Sequence, residues 1–193
     1  RLSSICTLEE RRDLSKSMLF DICDVLIKSE YFTEIALVSS EEEITQYENY
    51  DDITYLRENE VNGVDNAVEL GNRYFIEKGF DATVVIPGDI PLIHNKVLEK
   101  LFNLIKDNQV IITPSRKKNG TNLLFRSPPD VIGTSYDNNS YFRHLDMIRV
   151  RNLQYGIYLE DSIRLDLDEP EDIKIINERL LDSRTKSLLK KLN

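Results

Sequence analysis

An acidic residue beside a glycine follows the most strand-like segment of the sequence. Residues 82–86 are uncharged and mostly β-branched, and Gly88 and Asp89 come shortly after them. Ligands of open α/β sheets bind beyond the carboxyl ends of the strands, and Gly88 lets a phosphate approach the backbone. Asp89 is therefore suited to Mg²⁺, which needs only one or two carboxylates besides phosphate oxygens and water. The alternative is that Asp89 is a turn residue that caps the next element.

A second acidic group ends the apolar segment 163–167. Strand alternation would place Asp166 and Asp168 on one face and Leu167 on the other. Two carboxylates on one face repel each other unless a cation or hydrogen-bond donors lie between them. We therefore predict a metal site made by Asp89, Asp166 and Asp168. Alternatively, Asp168 caps the helix that begins near residue 170.

The loop 114–122 combines positive charge with a glycine and hydroxyl groups. Its backbone N–H groups, together with Thr121 and Arg116, form a candidate phosphate site, and a solvated basic loop is the alternative. Ser140 follows a polar stretch and is a candidate helix N-cap, anion ligand, or both. For His144, a structural role is favoured over that of a base.

Several signatures of other enzyme classes are absent from the sequence. It has no G-x-x-x-x-G-K-[ST] loop, no G-x-G-x-x-G and no H-E-x-x-H, and G-x-S-x-G is also absent. With only two histidines, a His-rich metal site is excluded.

The composition restricts the compartment and the partners. The formal net charge is −9, from 25 basic and 34 acidic residues, which argues against nucleic acid as a partner. No apolar run approaches the ~20 residues that a membrane helix needs, and no signal peptide pattern opens the chain. The two cysteines lack C-x-x-C spacing and fit a reduced, cytoplasmic compartment.

Helical and strand periodicities alternate along the chain, which predicts an α/β domain that spans residues 1–193. The capping box 7–10 opens the first helix. Further helices are predicted at 64–76, 97–104 and 141–150 and from residue 170, and 182–193 is a terminal helix or a tail. Strands are predicted at 35–38, 53–56, 82–86, 110–113, 123–125, 155–159 and 163–167. Because a doubly wound sheet normally begins with a strand, we expect the first strand to be missing from the chain as given.

Four stretches resemble the 2-phospho-L-lactate guanylyltransferases of deazaflavin (coenzyme F-420) biosynthesis, and together they span nearly the whole chain. The Gly-Thr-Asn and Ser-x-Phe-x-His pieces are the most discriminating. The stretches are Arg-Leu-Ser at 1–3, Ile-Pro-Gly-Asp-Ile-Pro-Leu at 86–92, Pro-Ser-Arg at 114–116 with Gly-Thr-Asn-Leu-Leu-Phe at 120–125, and Ser-Tyr-Phe-Arg-His at 140–144 with Asp-Leu-Asp-Glu-Pro-Glu-Asp at 166–172.

The resemblance implies a GT-A-like, Rossmann-type fold with a mostly parallel central sheet, helices on both faces, and a homodimeric assembly. It implies that GTP and 2-phospho-L-lactate give lactyl-2-diphospho-5'-guanosine and pyrophosphate, with Mg²⁺ as cofactor. The phosphate oxygen of the acid attacks the α-phosphorus, so no covalent enzyme nucleophile is needed. A related branch uses phosphoenolpyruvate instead.

The resemblance also assigns residues on the acid and metal side. Asp89 and Asp166 match the metal-holding aspartates, which makes them the expected catalytic residues. Thr121 and Ser140 match positions that contact the phosphorylated acid. A glycine that often precedes that serine by three positions is Asp137 here, which puts that backbone contact in doubt.

On the nucleotide side, Arg1 matches the end of the family's phosphate-binding signature, whose lysine normally lies just upstream. Gly63 and Asn66 match the loop and helix start near the guanine and ribose, and Gly88 is a further nucleotide-binding candidate. We add, as a hypothesis, that Arg116 steers the acid substrate.

Three other functions remain open at this point. The same superfold includes nucleotidyltransferases that act on a sugar phosphate or a molybdopterin-like acceptor, and glycosyltransferases that hold a metal between carboxylates. A non-catalytic nucleotide-binding module is the alternative from another class.

Overall fold

The computed structural model is an α/β fold in which helices cover two sheets. It describes residues 2–41, 44, 51–58, 63–137 and 139–192. The strands in these residues are β1 (Ile35–Ser39), β2 (Ile53–Arg57), β3 (Thr83–Val85), β4 (Val110–Pro114), β5 (Thr121–Arg126) and β6 (Tyr155–Ile157). A 3-10 helix (Leu2–Ser4) precedes the helices α1 (Leu8–Lys28), α2 (Val64–Glu77), α3 (Asn95–Ile105), α4 (Ser140–Val150), α5 (Asp161–Arg164), α6 (Pro170–Arg179) and α7 (Arg184–Leu192).

The larger sheet has the strand order β3-β5-β4-β6. β4 pairs with β6 in parallel, while β5 runs antiparallel to both of its neighbours, with Val84 opposite Phe125 and Ile112 opposite Leu124. Three strands therefore run in one direction and β5 runs in the other. The predicted α/β class is confirmed, and β5 is the exception within a mostly parallel sheet.

Helices pack on both faces of this sheet, as predicted. Both β4 and β5 are buried along their whole length. Because side chains alternate along a strand, Ile111 and Phe125 face a core that includes α3, whereas Ile112 and Leu124 face a core that includes α4. The two apolar layers hold β4 and β5 in fixed positions, which matters for the residues at their ends.

The smaller sheet is a parallel pair, β1 and β2, with Ile35 opposite Ile53 and Ser39 opposite Arg57. Phe20 and Cys23 of α1 pack against Ile53. The Cβ position of Gly71 in α2 lies 3.2 Å from a methyl group of Val38 in β1, so a larger residue would crowd that contact.

The first and last described helices are joined. α1 begins with the predicted capping box, in which Thr7 and Glu10 accept each other's backbone N–H groups. The Asp21 carboxylate of α1 accepts hydrogen bonds from the N–H groups of Arg184 and Thr185, at 3.1 and 2.9 Å, and so caps α7. The described part of the segment 182–193 therefore contains a docked helix.

The predicted strand at 163–167 is wrong. Residues 161–164 form α5 instead, because the N–H groups of Ile163 and Arg164 bond back to the carbonyl of Glu160. Residues 165–168 follow without regular secondary structure, yet their burial still alternates, with Leu165 and Leu167 buried. The predicted alternation of side chains holds even though the strand does not form.

None of the helices in the described part of the chain is long and apolar enough to cross a membrane.

Candidate active site

The structure brings Asp89 and Asp166 together. The N–H of Leu167 donates to the backbone carbonyl of Asp89 at 3.0 Å, so the two predicted acidic segments lie side by side. Burial first, and then the charges of Asp166 and Asp168, raise the pKa of Asp89 to about 6. The protein thus places carboxylates where their negative charges oppose one another.

Asn122 contacts these acidic residues, and no role was predicted for it from the sequence. Its Nδ2 donates to the carbonyl of Ile163 at 3.0 Å and to Oδ1 of Asp166 at 3.4 Å. Burial raises the pKa of Asp166, and the hydrogen bond from Asn122 opposes that shift. Asn122 therefore orients the carboxylate of Asp166. Its only signal in the sequence was its position next to Thr121.

The alternative role of Asp168, as the cap of the helix that begins near residue 170, is wrong. The Asp172 carboxylate accepts the N–H groups of Asp168 and Glu169, at 3.3 and 2.9 Å, so it closes the start of α6. Glu169 is the residue at the N-cap position, and its carboxylate pairs with Lys117 of the β4–β5 loop. These contacts fix the chain that carries Asp166 and Asp168.

Among the residues that the structure describes, no group of three or more His, Cys, Asp and Glu side chains is arranged to hold a metal ion. The three acids Asp89, Asp166 and Asp168 are therefore not assembled as one three-carboxylate cluster, although, besides burial, the charge of Asp168 raises the pKa of both Asp89 and Asp166. Two carboxylates remain a suitable donor set for Mg²⁺ that also takes phosphate oxygens and water. The opposed charges of Asp89 and Asp166 fit that requirement.

Thr121 lies at the start of β5, next to Asn122, and contacts α4. Its Oγ1 lies 3.0 Å from Nδ1 of His144, and Nε2 of His144 accepts the N–H of Ser135 at 3.0 Å. His144 is fully buried. The pairing of β4 with β5 is irregular here, because Leu123 lies opposite Thr113 and Thr121 opposite Pro114. The consecutive residues Thr121 and Asn122 contact His144 and Asp166 respectively, and so connect the His144 contact with the acidic group.

Ser140 is buried and is the first residue of α4. The residue at the N-cap position is Asn139, in the left-handed conformation, so the predicted capping role of Ser140 is wrong. Four residues separate Ser140 from His144, which places both on one side of the helix. Ser140 thus lies one turn from the residue that contacts Thr121, at the start of the helix.

The residues predicted to lie near the nucleotide are joined to this region through Asp65. Gly63 is the N-cap residue of α2 and has φ 89, a conformation that favours glycine. Asp65 lies between Gly63 and Asn66, and its carboxylate accepts the N–H of Tyr136 at 2.6 Å. Gly88 is exposed beside Asp89. The predicted contact of Arg1 lies outside the described residues.

Arg116 contacts the segment that leads to Asp166. Its N–H donates to the carbonyl of Arg164 at 2.7 Å. It lines a cavity of about 430 Å³ together with Arg164 and Arg179, and neither Thr121 nor Ser140 is among the described residues of that wall.

The structure also contains a buried cationic side chain, Arg126, that was not predicted from the sequence. Arg126 is fully buried, and its guanidinium donates to the carbonyl of Ile132 at 3.2 Å and to the side chain of Asn72 at 3.0 Å. Burial lowers the pKa of His144 to about 4, and the positive charge of Arg126 acts in the same direction. The imidazole of His144 is therefore neutral at pH 7.

Comparisons with known proteins agree over the whole chain. A family described as guanylyl transferase CofC like matches residues 1–193. The chain is 36% identical to a 2-phospho-L-lactate guanylyltransferase of Methanocaldococcus jannaschii, over all of this chain and 82% of that protein. It is 32% identical to the protein of the same name from Methanobrevibacter smithii, over all of this chain and 84% of that protein.

Solved structures show the same fold at low sequence identity. A protein from Desulfovibrio desulfuricans described as a nucleotide-diphospho-sugar transferase superposes with a TM-score of 0.79 at 16% identity, over 99% of this chain and 87% of that one. A cytidylyltransferase from Leptospira borgpetersenii gives a TM-score of 0.57 at 15% identity, over 91% and 82% of the two chains.

Proposed function

The chain belongs to the guanylyl transferase CofC-like family, and from that premise we propose that it joins GMP from GTP to 2-phospho-L-lactate. The products are lactyl-2-diphospho-5'-guanosine and pyrophosphate, as in the biosynthesis of coenzyme F-420. The observation that carries this proposal is the juxtaposition of Asp89 and Asp166, held by the hydrogen bond from the N–H of Leu167 to the carbonyl of Asp89.

The reaction is a phosphoryl-type substitution in which the substrate supplies its own nucleophile. A phosphate oxygen of the acid forms a bond to the α-phosphorus, the bond to the β-phosphate breaks, and pyrophosphate leaves with the electron pair. Both reactants are polyanions, and the protein itself has a net charge of −9. Catalysis therefore depends on positioning and on local charge compensation.

We propose Mg²⁺ as the cofactor, with Asp89 and Asp166 as its protein ligands. Mg²⁺ held by these two carboxylates would supply charge compensation for the phosphates. Asn122 keeps the Asp166 carboxylate oriented through the contact at 3.4 Å. Leu165 and Leu167 anchor the segment on its apolar side, so the acid cannot rotate into the core.

Thr121 and Ser140 are proposed to hold the phosphate of the acid. Both are small hydroxyl side chains, and α4 carries Ser140 one turn before His144, which contacts Thr121. A phosphate here also meets the N–H groups at the start of α4, where the helix dipole favours negative charge. Because Asp137 replaces the family's glycine, we place no backbone contact there.

Gly63, Asn66 and Gly88 are proposed to contact the nucleotide. The link from Asp65 to Tyr136 fixes the start of α2 against the loop that leads into α4. Gly88 precedes Asp89 and leaves the backbone accessible. The nucleotide would thus lie between the α2 start and the acidic pair, with its α-phosphorus facing the acid.

A homodimer and a cytoplasmic location complete the proposal. Both cysteines are buried and free, which is compatible with a reducing compartment. Size-exclusion chromatography with light scattering would test the dimer, and a monomer at micromolar concentration would contradict it.

The test is an assay of pyrophosphate release with GTP and Mg²⁺ and with 2-phospho-L-lactate, phosphoenolpyruvate or a sugar phosphate as acceptor. We expect release with 2-phospho-L-lactate, dependence on GTP over CTP and ATP, and loss of release in EDTA. Release with the sugar phosphate alone would contradict the proposal. Binding of GTP without turnover on any acceptor would instead identify a nucleotide-binding module.

A further inference from the structure

His144 has a hydrogen-bonding partner at each ring nitrogen, and the two partners differ in kind. Nδ1 lies 3.0 Å from the hydroxyl of Thr121, which can donate or accept. Nε2 lies 3.0 Å from the backbone nitrogen of Ser135, which can only donate. The ring also packs edge-on against Tyr136, with 5.1 Å between the centroids.

This arrangement selects one tautomer of the ring. Nε2 must be an unprotonated acceptor, because it faces the N–H of Ser135. His144 is fully buried, and the low pKa of its ring keeps it neutral at pH 7. A neutral imidazole carries one proton, which therefore resides on Nδ1 and is donated to Oγ1 of Thr121.

The direction of that hydrogen bond determines what Thr121 can do. A hydroxyl has one hydrogen and two lone pairs. When its oxygen accepts from Nδ1, its own hydrogen remains available for another acceptor. The oxygens of a phosphate dianion are acceptors, so a Thr121 hydroxyl in this state matches such a group.

We infer that His144 is a positioning residue, which donates from Nδ1 to Thr121 and thereby makes the Thr121 hydroxyl a donor to the phosphate of the acid substrate. This inference rests on the proposed function, because it takes Thr121 as an acid-binding residue. His144 does not itself touch the substrate. Its effect on the substrate is exerted through the Thr121 hydroxyl. The N–H of Ser135 contributes by fixing the tautomer of His144.

The tautomer can be measured without any assay of activity. The chain has only His94 and His144, so long-range ¹H–¹⁵N spectra of the ¹⁵N-labelled protein at pH 7.5 contain two imidazoles, and His94→Gln identifies the remaining one. We expect a proton on Nδ1 of His144. A proton on Nε2, or a charged ring, would overturn the inference.

A matched pair of variants tests the consequence for the substrate. The amide nitrogen of Asn reaches the place of Nδ1, whereas the side chain of Gln reaches the place of Nε2. We expect His144→Gln to raise the KM for 2-phospho-L-lactate about ten-fold, because the donor to Thr121 is lost. His144→Asn keeps that donor and should raise the KM for 2-phospho-L-lactate less than about three-fold. The KM for GTP should stay unchanged in both variants.

Thr121 provides the control for coupling. Thr121→Val removes the hydroxyl, so adding His144→Gln to it should cause no further rise in the KM for the acid. An additive effect, an equal loss in the Asn and Gln variants, or a matching rise in the KM for GTP would reduce His144 to a structural residue. Absence of turnover in the wild-type chain would overturn the proposed function but leave the measured tautomer unaffected.

Discussion

At the acidic pair, the carboxylates of Asp89 and Asp166 oppose each other, whereas around His144 each ring nitrogen has a partner of complementary character. The first region raises the pKa of Asp89, because burial and neighbouring negative charge both disfavour ionisation. In the second region, the imidazole of His144 is neutral and is hydrogen-bonded to Thr121 and Ser135.

The difference indicates how one site can handle two polyanions. At the acidic pair, burial and like charges disfavour ionisation, and the proposed Mg²⁺ would relieve that repulsion. The His144 region is complete before any substrate arrives, so it presents a hydroxyl in a fixed orientation without reorganisation.

The largest effect should come from removing charge at the acidic pair. Asp89→Asn and Asp166→Asn keep the shape of each side chain but remove a metal ligand. We expect each to lower kcat/KM for Mg²⁺-dependent pyrophosphate release by at least about a thousand-fold, as the loss of a key electrostatic contact does elsewhere. Circular dichroism should show an unchanged fold.

Asp168→Asn is the matched control for that comparison. It removes the same charge from the same segment but not from the pair, so its loss of kcat/KM should stay within about ten-fold. Turnover near the wild-type level in Asp89→Asn or Asp166→Asn would remove the metal assignment.

The second effect concerns stability in the His144 region at low pH. The pKa of His144 falls from 6.5 to about 4, first because of burial and then because of Arg126, while Asp65 opposes the shift. A group with a lowered folded-state pKa contributes stability that is present above pH 6.5 and lost as the pH falls towards 4. The loss amounts to about 3 kcal/mol of the free energy of unfolding.

Urea unfolding of Asp89→Asn between pH 4 and pH 7 should show this loss without the opposing titration at Asp89. The double variant Asp89→Asn/His144→Asn should lack it, and Asp89→Asn/His94→Asn should retain it. The same pH dependence in all three proteins would mean that His144 is not the group responsible.

The third effect has the opposite sign and belongs to the acidic pair. The pKa of Asp89 is raised from 3.8 to about 6, so its contribution to stability is present below pH 3.8 and lost as the pH rises through 6. At pH 7 without divalent ions, Asp89→Asn should therefore be more stable than the wild type by roughly 2 kcal/mol. The exposed Asp107 supplies a control, Asp107→Asn, which should show no such gain.

Thermal unfolding in EDTA and in Mg²⁺ extends this test to the metal. Mg²⁺ should raise the Tm of the wild type and narrow its gap to Asp89→Asn, because the ion binds only the intact pair. An identical shift in both proteins would show that the ion binds somewhere else.

The smallest effect is expected from Arg116. Because Arg116 lines a cavity with Arg164 and Arg179, we expect it to act on the acid mainly through long-range attraction. Arg116→Ala should raise the KM for the acid about two-fold to three-fold at low salt and less at high salt, and Lys118→Ala provides the control from the same loop. An unchanged KM at low salt would contradict the steering hypothesis.

Much of the fold could be predicted because local patterns were consistent with it. The capping box at Thr7, the strand that precedes Gly88 and the helix that begins at Pro170 are each set by residues close in sequence. The segment 163–167 failed as a strand because its first two residues belong to α5, and its buried leucines pack without a strand ladder. The backbone contacts described for it from other segments are isolated hydrogen bonds, with Arg116 at Arg164 and with Asp89 at Leu167.

The individual residues of the candidate site could be predicted from the sequence, but the residues that contact them could not. Nothing local to His144 indicates Thr121, which lies 23 positions away. Asn122 was noted only as the neighbour of Thr121 in the Gly-Thr-Asn piece. Its partner Asp166 lies 44 positions further along the chain. Residues of α6 help to line the cavity beside Arg116, so the surroundings of Arg116 depend on where that helix packs.

The sequence by itself determined the chemistry available: acidic residues after strand-like segments, a Gly-Thr-Asn loop and too few histidines for a His-rich metal site. Its periodicity also determined which faces are apolar, since helix and strand repeats are local properties. Only the tertiary structure decided that two distant acids lie side by side and that Thr121 forms a hydrogen bond with a buried imidazole. Those contacts arise because strands and helices far apart in sequence pack on one sheet, and hydrogen bonding and charge act over distances in space.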